Sequence, residues 1–166
     1  RSFHPAAAEE NEVSMTIRGI LFDKDGTLLD FRRTWVPINR EVASFAAGGD
    51  AVLAAHLLKL GGQDPVSHQM VAGSVLAAGT HEEVADVFAV HLGHRTPRNL
   101  AVEIERIFRA GGAKYSQLID GVAAALSGLQ REGYILGVAT NDSAAGLAAS
   151  LGRHDGLLDC FAFTAG

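Results

Sequence analysis

GILFDKDGTLLDF occupies residues 19–31 and places an apolar run directly before the charged triplet Asp23-Lys24-Asp25. Residues 17–22 have the length and the apolar character of a buried strand. Ligands of open parallel sheets bind outside the carboxyl ends of the strands, so Asp23 is expected at the edge where a ligand would lie. Asp25 follows two residues later, and a period of two directs both carboxylates the same way.

The segment after this strand carries the signals of helices. Capping and stop residues recur between residues 32 and 112, which predicts an all-helical segment of four or five short helices. Predicted starts are Asp50, Thr80 with Glu83 in a capping box, and Thr96 followed by Pro97; predicted ends are Gly48-Gly49, Gly61, Gly93 and Gly111.

Helices and strands alternate from residue 113 onward. YILGVAT and CFAFTAG are apolar runs of strand length, and each follows a helical pattern. This alternation predicts an α/β fold with a parallel sheet, and the near-continuous apolar strands suggest that both faces of the sheet are covered. The expected organisation is a polar tail or tag over residues 1–14, a core over 15–31 and 113–166, and a helical insertion over 32–112.

Composition limits the classes of partner and compartment. The 166 residues are 48% hydrophobic and carry a formal net charge of −5, which argues against nucleic acid as the main partner. Cys160 is the only cysteine, so no disulfide forms within the chain, as suits the cytoplasm. No apolar stretch approaches the ~18 residues of a membrane span, so no membrane partner is expected.

Paired carboxylates at a strand end have several interpretations. One carboxylate can attack as a nucleophile while the other moves protons, and both can help to hold a divalent cation. The pattern D-x-D-G also begins a calcium loop, but the glycine and glutamate of that loop would fall on Leu28 and Thr34. A plain turn and a solvated strand end remain open for the stretch alone.

A second strand end strengthens the chemical interpretation. ILGVATND, residues 135–142, ends in Thr140 and Asn141, which should reach the same edge of the sheet as Asp23. A hydroxyl and a backbone N–H at the start of a helix can bind phosphate oxygens. The alternative is that these two residues only cap the next helix.

These two strand ends resemble a known family. Asp23-Lys24-Asp25-Gly26-Thr27-Leu28 resembles the first motif of the haloacid dehalogenase superfamily, and Thr140-Asn141 resembles the second. The stretch YSQLIDGVAAALSGLQREGYILGVATN is similar to the return from cap to core in phosphoglycolate phosphatase-like members. The resemblance covers about residues 16–166 and implies a Rossmann-like parallel-sheet core with an inserted all-helical cap.

The resemblance also implies a reaction. Asp23 would take the phosphoryl group as an aspartyl-phosphate, and Asp25 would protonate the leaving oxygen and then activate water. Mg²⁺ would lie on the Asp23 carboxylate and the Asp25 carbonyl, while Thr140, Asn141 and backbone N–H groups around Asp25 and Gly26 would hold the phosphoryl oxygens. The implied function is a magnesium-dependent phosphatase whose partner is a small phosphorylated metabolite resembling phosphoglycolate.

Four further residues lie in or near the first motif. Arg32, Arg33 and Trp35 could line the mouth of the cap, although two solvated arginines and a tryptophan in the cap core are the simpler interpretation. A lysine also follows the first aspartate in the D-K-T-G-T motif of P-type ATPases, but no membrane span is found here to support that likeness. We expect the Lys24 side chain to be solvated or near the cap mouth.

The chain departs from the family pattern at its end. The third motif, a lysine, and the fourth, one or two acids, should follow CFAFTAG, where the sequence stops at Gly166. The sequence is therefore expected to be the N-terminal part of a longer protein, inactive alone and prone to self-association. A sugar phosphomutase and a non-catalytic phosphate-binding or regulatory domain remain alternatives.

Overall fold

The computed structural model describes residues 17–166. The predicted tail over residues 1–14 and Met15 lie outside these residues. Within the described part of the chain, no helix is both long and apolar enough to cross a lipid bilayer.

Three parallel strands form the sheet, in the order β1-β2-β3. They are β1 (Gly19–Asp23), β2 (Ile135–Ala139) and β3 (Phe163–Ala165). Asp23 lies beside Ala139 in the register of β1 and β2, so both strands end at the same edge of the sheet. The predicted α/β fold with a parallel sheet is confirmed.

Most of the helices lie in the insertion between β1 and β2. Two 3₁₀ turns, Gly93–Arg95 and Leu158–Cys160, complete the regular structure of residues 17–166. The helices are α1 (Phe31–Ala46), α2 (Ala51–Leu60), α3 (Val75–Ala78), α4 (His81–Leu92), α5 (Leu100–Tyr115), α6 (Val122–Arg131) and α7 (Ala144–Gly152).

Several predicted helix caps are confirmed. The Asp50 carboxylate accepts hydrogen bonds from the backbone N–H groups of Val52 and Leu53 at the start of α2. Thr80 and Glu83 form the predicted capping box, in which each side chain accepts from the other residue's backbone N–H. These side chains satisfy donors that the first turn of a helix leaves free.

The predicted boundaries of α5 are wrong at both ends. The helix begins at Leu100, after Asn99 in a left-handed conformation, and not at Thr96. It also continues through Gly111, where a Cβ atom would lie only 2.6 Å from Cγ1 of Ile38. The missing side chain therefore serves close packing of α5 on α1, which a stop signal read from the sequence does not reveal.

Buried apolar residues form two clusters. The helical cluster joins α1 to α5 and includes Trp35, Phe88 and Ile104. The sheet cluster joins β2, α6 and α7 to the loop after β1 and includes Leu29. Two clusters are what a helical cap on an α/β core would give, although that division of the chain remains a prediction.

The described residues cover only one face of the sheet fully. Leu21, Ile135 and Phe163 are 60%, 56% and 53% exposed, and each extends from a different strand. Gly137 lies beneath the Phe163 ring on this face. Continuous apolar strands show that burial is favoured, but they do not show which element provides it.

Candidate active site

A cavity of about 400 Å³ opens at the edge of the sheet where β1 and β2 end. Its walls combine the two strand ends with α1, α5 and the segment from α3 to the start of α4. The lining residues are Asp23, Asp25, Trp35, Leu76, Ala77, Ala78, Gly79, Thr80, His81, Phe108, Ala139, Thr140, Asn141, Asp142 and Ser143.

Asp23 is the last residue of β1 and lines the cavity. Among residues 17–166, no side chain or backbone group forms an ion pair or a hydrogen bond with its carboxylate. An unengaged carboxylate on a cavity wall can attack an electrophile or bind a cation.

Asp25 lines the same cavity, but its carboxylate is engaged on both oxygens. The indole Nε1–H of Trp35 donates to Oδ1 at 2.7 Å, and the Lys24 ammonium lies 2.7 Å from Oδ2. The side chain of Asp25 is 17% exposed. Its orientation is therefore fixed by two neighbours, whereas that of Asp23 is not.

Gly26 shapes the turn after Asp25. Its φ of +88° lies in the region that favours glycine, and its N–H donates to the Leu29 carbonyl at 2.8 Å. The N–H groups of Leu28 and Leu29 both donate to the Lys24 carbonyl. The Gly26 N–H is thus used within the loop and is not free for a phosphoryl oxygen, contrary to the expectation from the sequence.

Thr140 and Asn141 reach the cavity from the end of β2. The Asn141 side-chain amide donates to the Ala78 carbonyl at 3.3 Å, which joins the strand end to the helical segment. Ser143, and neither of these two residues, caps α7, since its hydroxyl accepts from the Gly146 N–H. The alternative that Thr140 and Asn141 only cap the next helix is therefore wrong.

The expected position of Lys24 is wrong. The residue is fully buried, not solvated, and its ammonium lies between Asp25 at 2.7 Å and Asp142 at 3.0 Å. Both contacts are ion pairs. The Trp35 ring centroid lies 5.3 Å from the same ammonium, within the range of a cation–π contact.

Asp142 is a site residue that the sequence analysis did not include. Its side chain is 8% exposed, and its Oδ1 accepts from the Ser143 N–H. Burial raises the pKa of Asp142 above its usual range, and the nearby Lys24 opposes that rise. Its position directly after Asn141, past the end of a strand, was the available signal.

The three residues that were expected to line the mouth of the cap lie in different surroundings. Trp35 lines the cavity and also belongs to the helical cluster. Arg32 donates to the Ser67 carbonyl, and Arg33 pairs with Asp30, the N-cap of α1. Neither arginine lines the cavity, so only Trp35 meets the expectation from the sequence.

Comparisons with known proteins identify the family. Haloacid dehalogenase-like hydrolases, as a family, match residues 17–166. An N-acetylmuramic acid 6-phosphate phosphatase of Pseudomonas aeruginosa is 31% identical over 127 residues, covering 76% of this chain and 49% of that protein. The corresponding Pseudomonas putida phosphatase is 29% identical over 127 residues, covering 76% of this chain and 50% of that protein.

Solved structures share the fold. A predicted phosphoglycolate phosphatase from Haemophilus somnus superposes with a TM-score of 0.58 at 19% identity, over 90% of this chain and 62% of that one. A magnesium-bound putative HAD-hydrolase from Bacillus subtilis superposes with a TM-score of 0.53 at 21% identity, over 90% of this chain and 65% of that one. This chain spans about half the length of the curated relatives it matches. Both the family match and the shared fold confirm the resemblance, and the chain belongs to the haloacid dehalogenase-like hydrolases.

Proposed function

We propose that the protein is a magnesium-dependent phosphatase that hydrolyses a small phosphomonoester through an aspartyl-phosphate on Asp23. The observation that carries this proposal is the difference between two carboxylates on one cavity wall. Asp23 has no partner among the described residues, while Asp25 is held by Lys24 and Trp35. Nucleophilic attack needs an accessible oxygen, and proton transfer needs an oriented one.

The proposed reaction has two steps. In the first, a carboxylate oxygen of Asp23 forms a bond to phosphorus while the bond to the leaving oxygen breaks, and a proton from Asp25 goes to that oxygen. In the second, Asp25 takes a proton from water, whose oxygen attacks phosphorus and releases phosphate from Asp23. Thr140 and Asn141 face the same cavity and would hold the phosphoryl oxygens, whose charge must be stabilised throughout.

The residues present fit a magnesium ion. Hard oxygen donors suit Mg²⁺, and the unengaged Asp23 carboxylate lies close in sequence to the main-chain carbonyl of Asp25. Residues 17–166 contain no cluster of three or more acidic, histidine or cysteine side chains that could hold a metal ion, so the Asp23 carboxylate and the Asp25 carbonyl are the ligands that this part of the chain would supply. Bound there, it would neutralise charge on the phosphoryl group.

The cavity limits the leaving group to a small molecule. Trp35 and Phe108 provide aromatic lining, with ring centroids 5.0 Å apart, and Thr80 and His81 at the start of α4 add polar groups. We propose two substrate classes for comparison. Phosphoglycolate follows from the phosphoglycolate phosphatase-like resemblance, and an amino-sugar phosphate follows from the names of the Pseudomonas relatives.

Asp23→Asn in the complete protein tests the nucleophile. The variant keeps the shape of the side chain and removes the attacking charge, so we expect loss of nearly all phosphate release with the fold intact. Asp120→Asn is the matched control, since Asp120 is exposed and does not line the cavity. Rapid acid quench followed by mass spectrometry should detect phosphate on Asp23 in the wild type only.

The result can contradict the proposal in two ways. Activity of Asp23→Asn within about tenfold of the wild type, or about 1.4 kcal/mol of barrier, would exclude Asp23 as the nucleophile. An isomerised phosphate ester in place of free phosphate would favour the phosphomutase alternative. Omitting magnesium from the same assay tests the metal requirement.

A further inference from the structure

Lys24 is the most buried charged residue of the described chain that the proposed reaction does not use. Its side chain is 0% exposed, and it does not line the cavity. The two residues on either side of it, Asp23 and Asp25, both line the cavity. Lys24 therefore faces away from the substrate space and can act on the reaction only through another residue.

Two acidic partners hold Lys24 in this position. Its ammonium lies 2.7 Å from Asp25 Oδ2 and 3.0 Å from Asp142 Oδ2. Asp25 belongs to the loop after β1, and Asp142 to the loop after β2. Lys24 thus joins the two strand ends beneath the cavity.

Asp142 is itself fixed by its surroundings. Its Oδ1 accepts from the Ser143 N–H at 2.9 Å, and its carboxylate occupies the space that a side chain on Gly146 would need. A carboxylate held at both oxygens is a rigid anchor for the ammonium. Lys24 then presents a fixed positive charge to Asp25 Oδ2, while Trp35, whose ring the same ammonium contacts, donates to Oδ1.

We propose that Lys24, anchored by Asp142, is a positioning residue that fixes the Asp25 carboxyl group for proton transfer to the leaving oxygen. The inference rests on the phosphatase function proposed above. It differs from a lysine that contacts the phosphoryl group, because Lys24 does not reach the cavity. It also differs from a purely structural ion pair, because one of its partners is the residue that would move the proton.

The test compares two substrates in the complete protein. An alkyl phosphate needs a proton on its leaving oxygen, whereas p-nitrophenyl phosphate gives a stable anion without one. The measured quantity is the single-turnover rate of aspartyl-phosphate formation for each substrate, and their ratio reports on Asp25. Asp25→Asn defines the largest change in this ratio.

Three variants remove the positioning contacts in different ways. Lys24→Met keeps the length of the side chain and removes its charge. The double variant Lys24→Met/Asp142→Asn also removes the carboxylate that the single variant leaves buried and unpaired, so we expect it to be the more stable of the two. Asp142→Asn keeps the lysine and weakens its anchor.

We expect Lys24→Met and the double variant to lower the alkyl rate by about 10- to 100-fold and to lower the aryl rate much less. Asp142→Asn should lower the alkyl rate by a smaller factor. Lys114→Met is the control, since that exposed lysine pairs with Glu41 and Tyr115, does not line the cavity, and should leave the ratio unchanged.

Each outcome decides the inference. Equal losses for both substrates in the folded variants would show a structural role and overturn it, while the phosphatase proposal would stand. A wild-type protein that forms no aspartyl-phosphate with either substrate would overturn both. If Lys24→Met does not fold, the double variant and Asp142→Asn give the same comparison, and an unchanged ratio in them would refute the positioning role.

Discussion

Trp35→Phe separates the two roles that the structure gives to one side chain. The indole Nε1–H donates to Asp25 Oδ1 at 2.7 Å, while the ring packs edge-on against Phe108 in the helical cluster. Phenylalanine keeps most of the apolar contact and removes the donor. The substitution should therefore affect catalysis more than its effect on stability would explain.

The expected size follows from this hydrogen bond. A bond to a charged group contributes about 1.5–3 kcal/mol, and its loss leaves Lys24 alone to orient Asp25. If that orientation matters only when the proton moves, kcat should fall by about 10- to 100-fold. The smaller ring should cost about 1–2 kcal/mol in the free energy of unfolding.

The assay measures kcat for an alkyl phosphate at saturation, together with urea unfolding, in the complete protein. Phe88→Leu is the control, because Phe88 is fully buried in the same cluster but does not line the cavity. It should lose similar stability and keep its kcat. A Trp35→Phe enzyme with unchanged kcat, or a Phe88→Leu enzyme with an equal loss, would refute the orienting role of the indole.

Two further predictions concern stability. Gly146→Ala should destabilise the fold by about 1–3 kcal/mol, because the added methyl group needs the space of the Asp142 carboxylate. Gly128→Ala should stabilise the fold by about 0.5–1 kcal/mol, because Gly128 lies in α6 with open space around it. Urea unfolding that ranks the two variants the other way would contradict both expectations. Burial and the nearby Arg153 lower the pKa of His154 below its usual 6.5, so the unfolded chain binds the proton more readily. The contribution of His154 to the free energy of unfolding should be full above the usual pKa of 6.5 and should decrease as the pH falls towards the lower pKa of the folded state. If His154→Gln leaves the pH dependence of the free energy of unfolding unchanged between about pH 7.5 and 5.5, His154 is not its cause.

Local signals in the sequence predicted most of the elements. The caps at Asp50 and Thr80 are confirmed because a cap is made by residues within one turn of the helix start. The failures at α5 have a different origin. Gly111 lies inside this helix because Ile38 of α1 approaches it closely, and a contact across 73 positions of sequence leaves no local trace.

The candidate site was predictable to the extent that it follows strand ends. Asp23, Thr140 and Asn141 lie on one cavity because parallel strands end at a common edge. Arg32 was misplaced because proximity in sequence to the first motif says nothing about the direction of a helical side chain. Phe108 was missed because only the packing of α5 brings it to the cavity.

The burial of Lys24 follows from the same alternation that predicted the paired carboxylates. If Asp23 and Asp25 both face the cavity, the residue between them must face the interior, where a charge is tolerated only with a partner. The alternation alone thus argues against a solvated Lys24. It leaves the identity of the anchor open, because Asp142 lies 118 positions along the chain and is brought near only by the pairing of β1 with β2. The apolar strand therefore runs into charged residues because two of them line the cavity and the third joins the two strand ends.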